Sequence, residues 1–165
     1  MANLIFWRHA EAEIESSTGR DSDRALTKRG RKDALKMAKW LHRHLPIDTQ
    51  VLCSPARRCQ ETAATLQSIN ADDGEHRKPL DINVAEFLSI DSRLEDIAQK
   101  LVNDDSSKTI LIVGHEPNLG RLISQLLGME KNVCAVKKGA VWWLRQKVVS
   151  GALQTYLFTV QLPRY

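Results

Sequence analysis

Cysteine is scarce in this chain, and its distribution excludes several chemistries. Cys53, Cys59 and Cys134 form neither an even-numbered disulfide framework nor a C-x-x-C pair, so a disulfide scaffold and a structural zinc site are both unsupported. Reduced thiols in a reducing compartment are the simpler reading. A cysteine nucleophile of the C-x5-R type fails on spacing, because the sixth residue after Cys53 is Cys59 and the sixth after Cys59 is Thr65. No apolar run approaches the roughly 20 residues of a membrane helix. Leu4-Ile5-Phe6-Trp7 lacks the basic stretch before it and the small-residue cleavage site after it that a signal peptide carries. The closing Leu162-Pro163-Arg164-Tyr165 matches no lipidation or retention signal. A cytoplasmic chain without membrane association is expected. Aromatic residues make up 5% of the chain and do not interleave with the basic clusters Lys28–Lys32, Arg57-Arg58 and Lys137-Lys138. The net charge of +4 is therefore read as a solvated basic surface plus an anion pocket, not as a nucleic-acid platform.

What is present is an alternation of strands and helices. The 165 residues suffice for a single domain, 1–165, with a substantial core. Residues 3–8 form an apolar run too short for a helix and read as a buried strand. A polar loop, 11–24, follows. Thr27 then caps a helix over Lys28–His44 with Ala34, Leu35, Ala38, Leu41 and Leu45 inward, stopped by Pro46. Gln50–Cys53 is a second strand, and Ser54-Pro55 opens a helix running to Ile69 with serine as cap. Residues 70–78 are a polar connection, Leu80–Val84 a third strand, and Asp91–Val102 a helix with Leu94, Ile97, Ala98 and Leu101 inward. A turn over 104–108 precedes Thr109–Val113, the strongest strand in the chain. Pro117 opens a helix that ends at Gly128. Ala140–Leu144 and Leu153–Gln161 alternate as an antiparallel pair turned at Ser150-Gly151, with one of Trp142 and Trp143 facing the core and the other the surface. The pattern predicts an α/β fold: a three-layer α/β/α sandwich with a mostly parallel central sheet and an antiparallel edge.

In such a sheet the carboxyl ends of the parallel strands share one edge, where ligands bind. That edge gathers Arg8-His9 after the first strand, Ser54 with Arg57 and Arg58 after the second, and Gly114-His115 after the fourth. The set suits phosphoryl transfer. Arginine forks grip phosphate oxygens, helix amino termini add N–H donors, and a neutral imidazole attacks phosphorus when its other nitrogen is held as a donor. The second histidine, protonated, donates to the phosphate. A metal site from His9, His115 and Glu116 is rejected because the neighbouring arginines would repel a dication. His42, His44 and His76 lie in helical-surface or polar contexts and take no role. Lys137-Lys138 is read as a charged lead into a strand.

Four motifs sharpen this. Ile5-Phe6-Trp7-Arg8-His9-Ala10 resembles the R-H-G signature of the histidine phosphatase (phosphoglycerate-mutase-like) superfamily. Arg24-Ala25-Leu26-Thr27 with Gly30 resembles R-x-L-T-x-x-G. Ser54-Pro55-Ala56-Arg57-Arg58-Cys59-Gln60-Glu61-Thr62 resembles S-P-x-x-R-x-x-Q/E-T, and Gly114-His115 the late G-H motif. The short chain, without mutase insertions, is similar to the SixA-type phosphohistidine phosphatase branch. The resemblance implies that His9 accepts the phosphoryl group and that Arg8, Arg58 and His115 form the phosphate pocket, leaving Arg57 as a surface neighbour. It places Glu86 where larger relatives carry the proton donor to the leaving group. Arg24 either lines the pocket rim or braces its loop. It implies no metal or organic cofactor, and a monomer or weak dimer acting on a phosphorylated protein or a small phosphorylated substrate. A metabolite phosphatase and a catalytically silent phospholigand-binding module are the alternatives. The family glycine after the histidine is Ala10 here, which would be strained if that position required positive φ.

Overall fold

The computed structural model describes residues 2–69, 80–101, 108–131 and 133–164. The strand that opens the chain, β1 (Ala2–Arg8), is apolar because it lies inside a six-stranded sheet and is covered on both faces. The other strands are β2 (Gln50–Cys53), β3 (Ile82–Val84), β4 (Thr109–Gly114), β5 (Val141–Val149) and β6 (Ala152–Gln161), in the order β3-β2-β4-β1-β5-β6. β1 to β4 are mutually parallel, while β5 runs antiparallel to β1 and β6 antiparallel to β5. The predicted antiparallel edge is thus two strands wide. Ser150 and Gly151 turn it with φ of 51° and 80°, the two positive values a tight hairpin turn requires.

Helices α1 (Lys28–His44) and α2 (Arg57–Ile69) cover one face, and α3 (Leu94–Leu101) and α4 (Asn118–Leu126) the other. Side chains alternate along β1 accordingly. Ile5 and Trp7 pack with Ala34, Met37, Leu41 and Ala63, whereas Leu4 and Phe6 pack with Ile97, Leu101, Leu122 and Ile123. Each large side chain buried this way contributes roughly 1.5–3 kcal/mol. The three-layer α/β/α sandwich read from the sequence is the fold observed.

Local details differ from expectation. Leu35 is 37% exposed, and Met37 takes the inward place, because the α1 stripe runs through Gly30, Ala34, Met37 and Leu41. The second helix starts at Arg57, three residues after Ser54, whose hydroxyl accepts from Ala56 N–H (3.3 Å) in the turn that leads into it. β3 is confined to Ile82–Val84 and α3 starts at Leu94, since a short 3-10 turn, Glu86–Leu88, and the Ser89-to-Ser92 turn occupy the intervening chain. α4 spans Asn118–Leu126. Trp143 is buried against the α1/α2 layer, but Trp142 is half-buried against the opposite core, not on open surface. The connection read at 70–78, with His76, and residues 104–107 lie outside the described residues.

Candidate active site

Parallel pairing fixes the site. Arg8 is in register with Gly114 and Cys53 with Val113, so β1, β4 and β2 end at one level. The ladder continues past the strand ends: His9 N–H donates to Gly114 O (3.1 Å) and Ser54 N–H to Val113 O (3.0 Å). His9 and His115 therefore project on the same side of the sheet, ring centroids 5.4 Å apart, and both are buried.

Their hydrogen bonds differ. His9 Nδ1 lies 2.8 Å from Ala10 O, which can only accept, so Nδ1 carries the proton and the Nε2 lone pair is free. His115 Nε2 lies 2.8 Å from Ser54 Oγ, and its Nδ1 faces Arg58 NH2 at 3.4 Å. A guanidinium cannot accept, so His115 Nδ1 is the acceptor and Nε2–H donates to Ser54. Burial, with His115, Arg58 and Arg8 as positive or potentially positive neighbours, pushes the His9 pKa down to about 3; its bond to Ala10 opposes this only partly. Burial and then Arg58 push His115 down to about 4. The protonated donor expected at His115 is thus a neutral imidazole here, because a second cation is costly beside buried Arg58.

Arg58, 1% exposed, reaches the site from the first turn of α2. It donates to Asp21 O (2.8 Å) and to the Asp21 carboxylate (2.9 Å). Arg8 donates to Val136 O (3.0 Å). The Nε atoms of both arginines are buried without a hydrogen-bond partner. Two guanidinium groups beside two neutral imidazoles make a cationic site suited to an oxyanion. Among the described residues no cluster of His, Cys, Asp and Glu could hold a metal ion. Cys59 Sγ lies 3.5 Å from His115 Nε2, but burial pushes its thiol up to about 12, which keeps it protonated and non-nucleophilic.

The remaining motif residues hold the loop that follows His9. Ala10 N–H donates to Thr62 Oγ1 (3.1 Å), whose hydroxyl donates to Arg58 O (2.7 Å). Glu61 accepts from Leu26 N–H (2.8 Å). Thr27 Oγ1 accepts from Gly30 N–H (2.9 Å) and donates to the Glu11 carboxylate (2.9 Å). A Cβ at residue 30 would overlap the Glu11 carbonyl, so only glycine lets the start of α1 meet the chain just after His9. Ala10 is fully buried and has no positive φ, so replacing the family glycine introduces no backbone strain.

Arg24 does not reach the two histidines. It donates to Glu13 O (2.6 Å) and pairs with Asp21 (3.0 Å), bracing the carboxylate that holds Arg58, and it also lines the rim of a cleft beside Ile14 and Arg20. Arg57 pairs with Glu61 on the surface. Glu86 follows β3 at the same sheet edge; it is exposed, and its carboxylate makes no hydrogen bond or ion pair among the described residues. Sequence reasoning missed Asp21, Ser54 as a partner of His115, and Thr62. Their clues were the acidic residue three before Arg24 and the hydroxyls fixed within the third motif.

The model of the histidine phosphatase superfamily (branch 1) matches residues 4–78. A phosphohistidine phosphatase SixA homolog of Haemophilus influenzae is 28% identical over 132 residues, covering 76% of this chain and 77% of its own. Among solved structures, the protein assigned as phosphohistidine phosphatase SixA from Agrobacterium tumefaciens superposes with a TM-score of 0.77 at 22% identity, covering 98% of this chain and 97% of that one. The protein histidine phosphatase SixA complexed with tungstate gives 0.77 at 20% identity, with 98% and 97% covered.

Proposed function

The chain belongs to the histidine phosphatase superfamily, and from that premise we propose that it is a phosphatase that hydrolyses phosphohistidine in proteins through a phosphoryl intermediate on His9. One observation carries the reading: His9 Nδ1 is committed to Ala10 O, leaving Nε2 as a free nucleophile close to the positive charges of Arg58 and Arg8.

The reaction has two displacements. His9 Nε2 forms a bond to phosphorus as the bond to the substrate's leaving nitrogen breaks. Arg8 and Arg58 stabilise the charge on the equatorial oxygens. A bound dianion also favours the charged form of His115, which then donates to the phosphoryl group. Water next attacks phosphorus as the Nε2–P bond breaks; His9 departs as the neutral imidazole with its Nδ1–H retained, and the water's protons leave with the phosphate or pass to solvent. Glu86, at the same rim, serves as proton donor where the leaving group is a poor one. An imidazole leaving group needs that help less. Glu86→Gln is thus expected to slow hydrolysis of an alkyl phosphomonoester about 10-fold or more while changing phosphohistidine hydrolysis little.

We propose that the chain acts as one catalytic domain, as a monomer or weak dimer, in the cytoplasm. The free thiols support that compartment, and among the described residues no helix is long and apolar enough to cross a membrane. The test is rapid quench with labelled phosphohistidine peptide and with a labelled generic phosphomonoester. The expected result is an acid-labile, alkali-stable label on the wild type that His9→Ala lacks, with the peptide the faster substrate. Turnover by His9→Ala at the wild-type rate would overturn the mechanism. A faster phosphomonoester would favour a small metabolite as substrate.

A further inference from the structure

A second cleft, of about 410 Å³, has Arg8 in its wall. It is lined by Arg8, Glu11, Asp33, Lys137, Lys138 and Arg164, together with Leu162 and Pro163. Its two acids are outnumbered: Asp33 pairs with Arg164 at 3.3 Å, and Glu11 stands against Arg8, Lys137 and Lys138. Lys137 and Lys138 are exposed, and among the described residues neither has an acidic partner within ion-pair distance. The uncompensated charge of the cleft is therefore positive.

The lysines are also fixed relative to the nucleophile. Gly139 N–H donates to His9 O (3.0 Å), Arg8 N–H to Ala140 O (3.1 Å), and Ala140 N–H to Lys137 O (2.9 Å). Trp7 Nε1 donates to Gly139 O (3.1 Å), and Arg8 itself holds Val136 O. The loop 136–140 is thus tied through its backbone to residues 7–9. Gly139, at φ 77° beside Pro163, makes the sharp turn that this requires. Two unpaired cations sit a few residues from the phosphate site on a loop that cannot drift away from it.

We propose that Lys137 and Lys138 form a docking surface for acidic side chains flanking the phosphohistidine of a protein substrate. The inference rests on the phosphohistidine reading above. Lysines favour this occupant over a second anionic group on a small molecule. They are hydrated point charges on flexible stems, suited to steering an acidic surface, whereas a small anion is gripped by buried, directional donors. The cleft offers one such donor, Arg8, which belongs to the phosphate site.

The test uses the full chain and its Lys137→Glu/Lys138→Glu and Lys137→Gln/Lys138→Gln variants. Substrates are one phosphohistidine peptide flanked by Asp and Glu, the same peptide flanked by Lys, and p-nitrophenyl phosphate. For the charge reversal, kcat/KM on the acidic peptide is expected to fall about 10-fold at low salt, with a smaller fall for the glutamine pair. The salt dependence should flatten, the Lys-flanked peptide should gain, and p-nitrophenyl phosphate should be unchanged, which also reports an intact fold. An unchanged acidic-peptide kcat/KM, or equal losses on all three substrates, overturns the docking surface. A wild type that hydrolyses p-nitrophenyl phosphate but neither peptide overturns the phosphohistidine reading, and the docking surface with it.

Discussion

The ends of β1 and β4 are near twins. Each strand is buried, each stops with a histidine one position beyond a registered pair, and both imidazoles are neutral by burial. What separates them is the partner of the second nitrogen. A backbone carbonyl takes the Nδ1 proton of His9 and leaves Nε2 bare, whereas a guanidinium and a hydroxyl occupy both nitrogens of His115. The nucleophile and assistant roles proposed for His9 and His115 thus rest on hydrogen bonds, not on burial or strand position.

The contrast can be broken at its strongest point first. His9→Ala is expected to lower kcat by on the order of 10⁴-fold or more and to abolish the covalent label. His115→Ala should still form the label, more slowly by about 10²–10³-fold in single-turnover kinetics. If the label vanished in His115→Ala and persisted in His9→Ala, the two roles would be reversed. A finer probe removes a hydroxyl that supports the residue after His9 or the ring of His115 and leaves both rings in place. Thr62→Val releases the Ala10 N–H and is expected to cost about 10-fold in kcat and about 1–3 kcal/mol of stability, since a buried donor loses its acceptor. Ser54→Ala should cost only a few-fold in kcat and leave the rate of label formation closer to wild type than Thr62→Val does. Urea titration and rapid quench read both.

The smallest effect is on pH. Both pKa values are lowered, to about 3 and about 4, so below the ordinary 6.5 the unfolded chain binds protons that the folded chain refuses. Stability is therefore complete above pH 6.5 and falls as pH drops towards 4 and 3. One unit below 6.5 the loss is about 1 kcal/mol per histidine. The thermal midpoint at pH 5.5 and 7.5 checks this. The His9→Ala/His115→Ala double variant should show a smaller acid drop.

Much of this arrangement was legible in the chain. Arg8-His9 and Gly114-His115 end apolar runs, and parallel strands must share an edge, so their meeting followed from topology. Thr27 and Gly30 were readable as a helix start. The bonds that assign roles were not readable, because Asp21 to Arg58, Ser54 to His115 and Ala10 to Thr62 span 37, 61 and 52 residues and depend on how loops close over the sheet. Ser54 shows the cost of local reasoning. A serine before a proline reads as a helix cap, but its hydroxyl meets a histidine from another strand and α2 starts at Arg57. Leu35 misled in the same way, matching a helical period while lying just off the buried stripe.

The strand that leads to His9 precedes the other described strands, yet it pairs only with β4 and β5, whose residues begin at Thr109 and Val141. During synthesis β1 therefore waits, an apolar segment without partners, until most of the chain has left the ribosome. Its histidine acquires the carbonyl of Gly114 and the Gly139 N–H only then. Emergence of phosphatase activity during translation should accordingly be abrupt and late, and a nascent chain stalled before β4 carries His9 without the partners that place it.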